Sequence, residues 1–253
     1  MRVFAVSDLH VDYLENKKWV ARLSNFDYQQ DVLILAGDLT DNLPLLGETL
    51  SWLVDKFNAV FYVPGNHELW VSRDQYRDSI TKFKAVCQLA VDSGAKITAQ
   101  RMNGLVVYPL FSWYDFSFAE PNEKILQSWV DFRACRWPDG WNLADVNHYF
   151  LAENKLPDIR QPDDFVVSYS HFLPRIDVMP FYIPLSQRYI YPVLGSDKLD
   201  RQIRQVKPNI HVYGHSHVNQ QISLNGIEYI NNAFGYPNET RIASKNLLCI
   251  YEK

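Results

Sequence analysis

The sequence predicts an α/β domain in which two sheets, or one mixed sheet, are flanked by helices. Three short apolar runs, at residues 2–6, 32–36 and 59–63, are separated by helix-length segments, as in β-α-β units. Later strand-like runs lie closer together along the chain, as in hairpins. Parallel units that come first and hairpin-like strands that follow favour this fold class.

The spacing of apolar residues predicts the individual elements. Between the second and third runs, apolar residues recur at every third or fourth position, at Leu43, Leu46, Leu50, Leu53 and Phe57. This stripe is typical of an amphipathic helix that packs on a sheet. A second helix is expected over residues 73–91. The remaining predicted strands are residues 96–100, 105–110, 165–170, 210–213, 221–224, 227–230 and 247–251.

Length and composition predict one domain. The chain has 253 residues, 47% of them hydrophobic, which is enough to bury a full core without disulfides. No linker or repeat divides it, and we expect a single domain over residues 1–253. An aromatic-rich region around residues 108–160 is expected to form a cap-like insertion. Its rings indicate core packing or, alternatively, a surface that stacks a base or aryl group of a ligand.

Charge and cysteine content restrict the partners and the compartment. The net charge of −4 argues against stable nucleic-acid binding through phosphate contacts. Three cysteines without paired spacing indicate a reducing compartment. The apolar start is too short for a secretory signal, and no apolar run approaches the roughly 18 residues of a membrane span. We therefore expect a cytoplasmic protein without a membrane partner.

Polar clusters follow five of the predicted strands, at the point where each strand ends. Ligands of α/β sheets lie beyond the carboxyl ends of the strands, so these clusters are expected to converge on one site. They are Asp8-Leu9-His10, Gly37-Asp38, Gly65-Asn66-His67-Glu68, Ser170-His171 and Gly214-His215-Ser216-His217.

Metal binding is the chemistry that this collection permits. Seven side chains form a mixed oxygen and nitrogen donor set without thiolates: Asp8, His10, Asp38, Asn66, His171, His215 and His217. Seven ligands exceed the needs of one ion, whereas two divalent cations that share one ligand would use them all. A carboxylate is the group able to bridge, and we expect Asp38, in the central motif, to be shared.

In their order, these motifs resemble those of the calcineurin-like metallophosphoesterases, over residues 8–217. The resemblance implies a four-layer αββα sandwich with a dinuclear metal site at the strand ends. It implies one ion held by Asp8, His10, Asp38 and His217, and a second held by Asp38, Asn66, His171 and His215. Manganese, iron and zinc all suit such ligands. The resemblance favours two Mn²⁺ ions, with iron or Zn²⁺ as alternatives.

The predicted reaction is hydrolysis of a phosphoester by a hydroxide that bridges the two ions. His67 has no metal assignment in the motif set, so it is expected to protonate the leaving oxygen as the general acid. Asp41 matches the second aspartate of the GDxxD pattern in related phosphatases and is a candidate to hold the other nitrogen of His67. Alternatively, Asp41 belongs to the N-terminal cap of the helix that begins near Leu43.

The substrate is expected to be a small-molecule phosphoester. Asn42 stands where the family's protein phosphatases carry an arginine that grips a phosphate dianion. A diester carries one negative charge less, which favours a phosphodiesterase of small-molecule or nucleotide diesters. The alternatives are a phosphomonoesterase of nucleotides or small metabolites and, from another class, a non-catalytic metal-binding scaffold. The apolar segment 180–192 is either a lid or an oligomer contact, and the oligomeric state stays open.

Overall fold

A computed structural model of the chain describes residues 1–73 and 75–253. The first of its two sheets has four strands in the order β10-β1-β2-β3. The parallel strands β1 (Arg2–Val6), β2 (Val32–Ala36) and β3 (Ala59–Val63) lie where the sequence predicts them. The last strand, β10 (Leu248–Glu252), pairs with β1 in the antiparallel direction.

The second sheet has six strands in the order β4-β5-β6-β7-β9-β8. Four central strands are parallel, while the two edge strands β4 and β8 are antiparallel to their neighbours. The strands are β4 (Gln100–Met102), β5 (Leu105–Pro109), β6 (Phe165–Tyr169), β7 (Ile210–Tyr213), β8 (Gln220–Leu224) and β9 (Ile227–Asn231).

Alternation of side chains along β1 and β2 places the two sheets face to face. Val3 and Ala5 pack between the sheets against residues of β5, β6 and β7. Phe4 and Leu33 point to the opposite face, where they pack under helices. Successive side chains of a strand point to opposite faces, so an entirely apolar strand is buried on both.

Helices cover both outer faces of the pair of sheets. On the first sheet lie α1 (Leu14–Arg22), α2 (Leu43–Lys56) and α3 (Ser79–Asp92). On the second sheet, α7 (Asp197–Val206) buries Leu199 and Ile203 against strands β7 and β9. The predicted four-layer αββα sandwich with two mixed sheets is confirmed.

The aromatic-rich region contains α4 (Glu123–Ser128), α5 (Asp131–Ala134) and α6 (Leu143–Glu153). Trp113 is 1% exposed and packs against Trp137 and other rings in an apolar cluster beside the strand ends. This packing is what the core interpretation of these rings expects. The description of residues 108–160 as a cap-like insertion of a single domain stays a prediction.

The structure differs from the predicted elements at three places. Helix α3 begins at Ser79 rather than near residue 73, because the Asp78 side chain caps it by accepting from the Thr81 backbone NH. Residue 74, inside the predicted helix, lies outside the described residues. Strand β4 begins at Gln100 rather than at residue 96, and Lys96 instead forms an isolated bridge with Phe61. The apolar segment 180–192, for which no helix is predicted, overlaps a 3₁₀ helix over Leu185–Val193.

Strand β7 carries one histidine in its interior, His211. His211 is buried between the hydroxyls of Ser168 and Ser170, and this burial lowers the pKa of His211 to about 3. It is a structural histidine of the core, as the interior strand position indicates.

Within residues 1–73 and 75–253, none of the helices has the length and apolar character needed to cross a membrane.

Candidate metal centre

The five polar clusters converge at the carboxyl ends of β1, β2, β3, β6 and β7. Both sheets contribute, because the strands that carry the clusters are parallel within each sheet and the two sheets lie face to face. All seven predicted ligands are buried at this meeting point.

The acidic and histidine ligands fall into two groups that share Asp38. Within each group, one ligand atom from every residue lies within 4.8 Å of the others. The first group is Asp8, His10, Asp38 and His217, and the second is Asp38, His171 and His215. Asn66 joins the second group, because its Oδ1 lies 3.0 Å from His171 Nε2. The geometry matches the partition that the family resemblance implies, although each residue's role as a ligand stays a prediction.

Hydrogen bonds on the outer side of the second group orient its lone pairs inward. His171 Nδ1 contacts the Ala36 carbonyl oxygen at 2.9 Å, and His215 Nε2 contacts the Val193 carbonyl oxygen at 3.0 Å. A carbonyl oxygen can only accept, so these two nitrogens carry the hydrogens. His171 Nε2 and His215 Nδ1 therefore carry no hydrogen. The lone pairs of these two nitrogens face each other, and the atoms lie 3.1 Å apart. Such an arrangement of acceptors fits a cation between them.

The first group is built in a similar way around His217. Its Nδ1 lies 2.6 Å from the Glu239 carboxylate, while its Nε2 lies 3.2 Å from Asp8 Oδ1 and 3.1 Å from His10 Nε2. Burial opposes protonation of His217, but the carboxylates of Asp8 and Glu239 outweigh it and raise the pKa of His217 to about 9.

Buried carboxylates leave this site short of positive charge. Asp8, Asp38 and Glu68 are each at most 2% exposed. Burial, together with the charges of Glu68 and Asp8, raises the pKa of Asp38 well above its usual value. An isolated buried carboxylate is costly unless it is paired or coordinates a metal. The donor set and its charge therefore fit a pair of divalent cations.

Five of the seven predicted ligands adopt left-handed backbone conformations. Their φ angles are positive at Asp8 (53°), His10 (40°), Asp38 (57°), His215 (67°) and His217 (54°). Residues other than glycine seldom occupy this region, and such strain collects at functional sites. The turns after the strands thus direct these side chains into the site at the cost of local backbone strain.

Two glycines of the motifs are required by close approach. A Cβ at Gly37, whose φ is +84°, would lie 2.6 Å from His171 Nδ1. A Cβ at Gly65 would collide with the Asp38 carboxylate. These positions need glycine because the side chain of a predicted ligand occupies the space that a larger residue would take.

His67 lies beside the two groups and has no place in either. Its ring lies against that of Trp70, tilted by 32° with centroids 3.7 Å apart, and its Nε2 lies 3.7 Å from Asp38 Oδ2. Burial and the nearby His171 and His217 lower the pKa of His67 to about 3. His67 is consequently neutral at pH 7 in the metal-free chain, and it would acquire a proton only beside added negative charge.

Asp41 lies near His67 without serving as the helix cap. Both line one open cavity of about 260 Å³, whose other walls include Trp70, Arg73 and Tyr236. The cap of α2 is Asn42, whose side chain accepts from the Leu45 backbone NH. The alternative that assigned the N-terminal cap to Asp41 is not supported by this contact. Its role beside His67 stays a prediction.

Sequence reasoning missed several carboxylates and one arginine, Arg73, at the site. Glu68 accepts hydrogen bonds from the backbone NH groups of Asp38, Leu39 and Gly65, and so ties two motif loops together. In addition, Glu239 holds His217, and Asp131 holds Asn66. Only Glu68 carried a signal, because it is adjacent to His67 in a motif. The others come from segments without a motif that tertiary packing brings in.

Comparison with known proteins places the chain in a family. A model of the calcineurin-like phosphoesterases matches residues 1–219. The chain is 24% identical over 263 residues to the acyl-carrier-protein phosphodiesterase PptH of Mycobacterium tuberculosis, covering 94% of this chain and 79% of that protein. The crystal structure of the phosphopantetheinyl hydrolase PptH from M. tuberculosis matches with a TM-score of 0.80 at 23% identity, over 100% of this chain and 96% of that chain.

A second solved structure shares the fold at a greater distance. The protein TT1561 of Thermus thermophilus matches with a TM-score of 0.54 at 17% identity, over 92% of this chain and 89% of that chain. The family model spans every motif from Asp8 to His217. The family expected from those motifs is confirmed. The chain belongs to the calcineurin-like phosphoesterase family and is a hydrolase of phosphoester bonds.

Proposed function

We propose that this chain is a phosphodiesterase that works with two divalent metal ions, Mn²⁺ being the first candidate and iron or Zn²⁺ the alternatives. The observation that carries the proposal is the pair of ligand groups that meet at the single carboxylate of Asp38. When bound, the ions would supply positive charge for the phosphoryl oxygens and hydroxide drawn from water at neutral pH. The seven ligands are Asp8, His10, Asp38, Asn66, His171, His215 and His217.

His67 and Asp41 are the side chains that we assign to the leaving group. Both line the open cavity beside the ligand groups, where the leaving oxygen of a bound ester would lie. A bound phosphoester adds negative charge near His67, and negative charge favours protonation of its imidazole. His67 then donates the proton to the leaving oxygen, while Asp41 helps to hold the imidazolium. The Trp70 ring, which lies against His67, limits the orientations of the imidazole.

The preference for a diester rests on position 42. The Asn42 side chain caps helix α2 through the Leu45 backbone NH, so this position directs no cation at a phosphate dianion. The cationic residue of the cavity is instead Arg73, whose Nη1 lies 3.5 Å from Asp41 Oδ2 and whose side chain is 79% exposed. An exposed arginine on a carboxylate suits the single charge of a diester better than it suits a dianion.

Arg73 is expected to contribute to substrate binding rather than to the chemical step. We expect Arg73→Ala to raise KM for a diester about two- to fivefold with little change in kcat, because an exposed charge contributes weakly. Steady-state kinetics check this result. The matched control is Arg77→Ala, which removes another exposed arginine, one that pairs with Asp78. Equal kinetic effects of the two substitutions would contradict a specific role for Arg73.

Two classes of diester are the leading substrate candidates. Small nucleotide diesters such as cyclic nucleotides fit the apolar rings of Trp70 and Tyr236 at the cavity. A phosphopantetheinyl diester on acyl carrier protein is the second candidate, prompted by the name of the M. tuberculosis relative. The second class would add a protein partner to the small-molecule part of the substrate.

The test compares turnover of four substrates by the chain loaded with Mn²⁺ and, separately, with iron or Zn²⁺. These are an aryl phosphodiester, the matching aryl phosphomonoester, a cyclic nucleotide and a phosphopantetheinylated acyl carrier protein. We expect faster turnover of the aryl diester than of the monoester. Faster turnover of the monoester would instead support a phosphomonoesterase. Absence of turnover with every divalent ion would favour a non-catalytic metal-binding scaffold.

The exposed side chains of Phe181, Tyr182 and Leu185 lie in the apolar segment that we interpret as a lid or an oligomer contact. Three free thiols accord with the reducing cytoplasm that we propose as the compartment, namely those of Cys87, Cys135 and Cys249. Residues 108–160 are proposed as the cap beside the ligand groups.

A further inference from the structure

The aromatic-rich region sends one carboxylate into the centre of the site. Asp131, at the start of α5, is 2% exposed and 65 residues away in sequence from Asn66, whose Nδ2 donates to Asp131 Oδ1 at 2.9 Å. The same oxygen accepts from the Trp70 indole NH at 2.6 Å, and Asp131 Oδ2 accepts from the Trp129 indole NH at 2.8 Å.

These bonds settle which end of the Asn66 amide faces the ligand group. Because the NH₂ group donates to Asp131, Asn66 Oδ1 lies on the opposite side, 3.0 Å from His171 Nε2. His171 Nε2 carries a lone pair and no hydrogen, because the ring's hydrogen is on Nδ1, which donates it to the Ala36 carbonyl oxygen. Oxygen and nitrogen acceptors therefore face each other without a hydrogen between them, and a cation bound to both would satisfy them.

The alternative amide orientation would satisfy the same groups without a cation. If the Asn66 amide were rotated by 180°, its NH₂ group would donate directly to His171 Nε2. Neither group would then be left as an acceptor for a cation. An asparagine amide has this choice because its oxygen and nitrogen ends are nearly the same in shape. Asp131 accepts only, so the turned amide would place an oxygen against a carboxylate oxygen and is disfavoured.

We propose that Asp131 is a positioning residue that holds the Asn66 amide in its metal-accepting orientation, so that the second ligand group stays open to a cation. This inference rests on the metal site proposed above and deepens it. Asp131 also accepts hydrogen bonds from Trp70, whose ring lies against His67, and from Trp129, whose ring lies edge-on to His215 with centroids 5.8 Å apart. One carboxylate of the aromatic-rich region thus reaches three residues at or beside the ligands.

The experiment is an equilibrium titration of the metal-free chain with Mn²⁺, measured as heat of binding. We expect Asp131→Ala to weaken binding at one of the two ions about ten- to a hundredfold, the usual effect of losing a partner that orients a metal ligand. The matched control is Asp115→Ala. The Asp115 side chain is also buried, and its carboxylate accepts from the side-chain amide of Asn147, which is not a proposed ligand.

A double substitution separates positioning from general structural damage. If Asp131 acts through the Asn66 amide, Asp131→Ala should have little further effect on Mn²⁺ affinity in an Asn66→Ala background. An undiminished effect in that background would overturn the proposal, and so would Asp131→Ala affinities equal to those of wild type. Asp131→Asn, which keeps the shape and one accepting oxygen, should fall between wild type and Asp131→Ala. Asp131→Asn replaces Asp131→Ala in the titration if the alanine variant does not fold.

The titration also distinguishes failure of this inference from failure of the proposed function. Two Mn²⁺ ions bound by wild type, together with unaltered binding by Asp131→Ala, would overturn the positioning role alone. Failure of wild type to bind any Mn²⁺ would overturn the metal site and this inference with it. Near-ultraviolet circular dichroism of each variant, compared with Asp115→Ala, reports whether the fold is retained.

Discussion

Asp38→Asn is expected to abolish stable binding of the metal pair and to lower turnover of a diester by at least about a thousandfold. Asp38 is the one side chain common to both ligand groups, so its replacement weakens both positions for a cation. Loss of about 4 kcal/mol of transition-state stabilisation corresponds to this factor, and metal polarisation of a phosphoryl oxygen is worth several kcal/mol. Metal content after dialysis and steady-state kinetics measure the two effects.

The loss should not come from unfolding. Asp38 lies among the buried carboxylates of Asp8 and Glu68, so a neutral amide of the same shape removes repulsion from the metal-free chain. We expect the melting temperature of metal-free Asp38→Asn to equal or exceed that of metal-free wild type. Asp115→Asn, which alters a buried carboxylate paired with Lys198, is the control and should retain both metals. An Asp38→Asn variant that kept two ions and full turnover would contradict the shared-ligand assignment.

His67→Ala is expected to lower turnover about a hundred- to ten-thousandfold while leaving two metal ions bound. The backbone NH of His67, which donates to Asp38 Oδ1 at 3.0 Å, survives in the alanine variant, so this contact to the shared ligand is retained. The matched control is His148→Ala, which removes an exposed histidine of α6. Metal analysis and kinetics on the same preparations separate loss of the acid from loss of the ions.

The choice of leaving group makes this test specific for proton donation. A good leaving group such as nitrophenolate needs little protonation, whereas an alkoxide needs much. The defect of His67→Ala should therefore be smaller for an aryl diester than for an alkyl diester. An equal defect for both would indicate that His67 positions the substrate rather than donating a proton.

The residues that meet at the candidate site could be predicted from the sequence because their signal is local. Asp8 and His10 directly follow an apolar strand, and His215 and His217 follow another, so sequence position alone places them at strand ends. Five short clusters in one order then specified which strand ends meet. The fold followed from the same strands, since an all-apolar strand must be covered on both faces.

The residues that contact the proposed ligands from outside could not be predicted in the same way. Glu239 and Asp131 lie in segments without a motif, and isolated acidic residues in such segments are usually solvated or cap helices. Their partners are decided by how distant segments pack: Glu239 reaches His217, and Asp131 reaches Asn66. Helix α3 was predicted about six residues too early because apolar spacing does not reveal a cap such as Asp78.

Each ligand group draws on both sheets, with Asp38 supplied by the first sheet and His171 and His217 by the second. A cation bound there would consequently link the two sheets, and with them two halves of the chain that are far apart in sequence. Ligands that bind only the folded state raise its stability by mass action. A supply of the proposed metal ions would therefore stabilise the association of the two halves as well as support turnover.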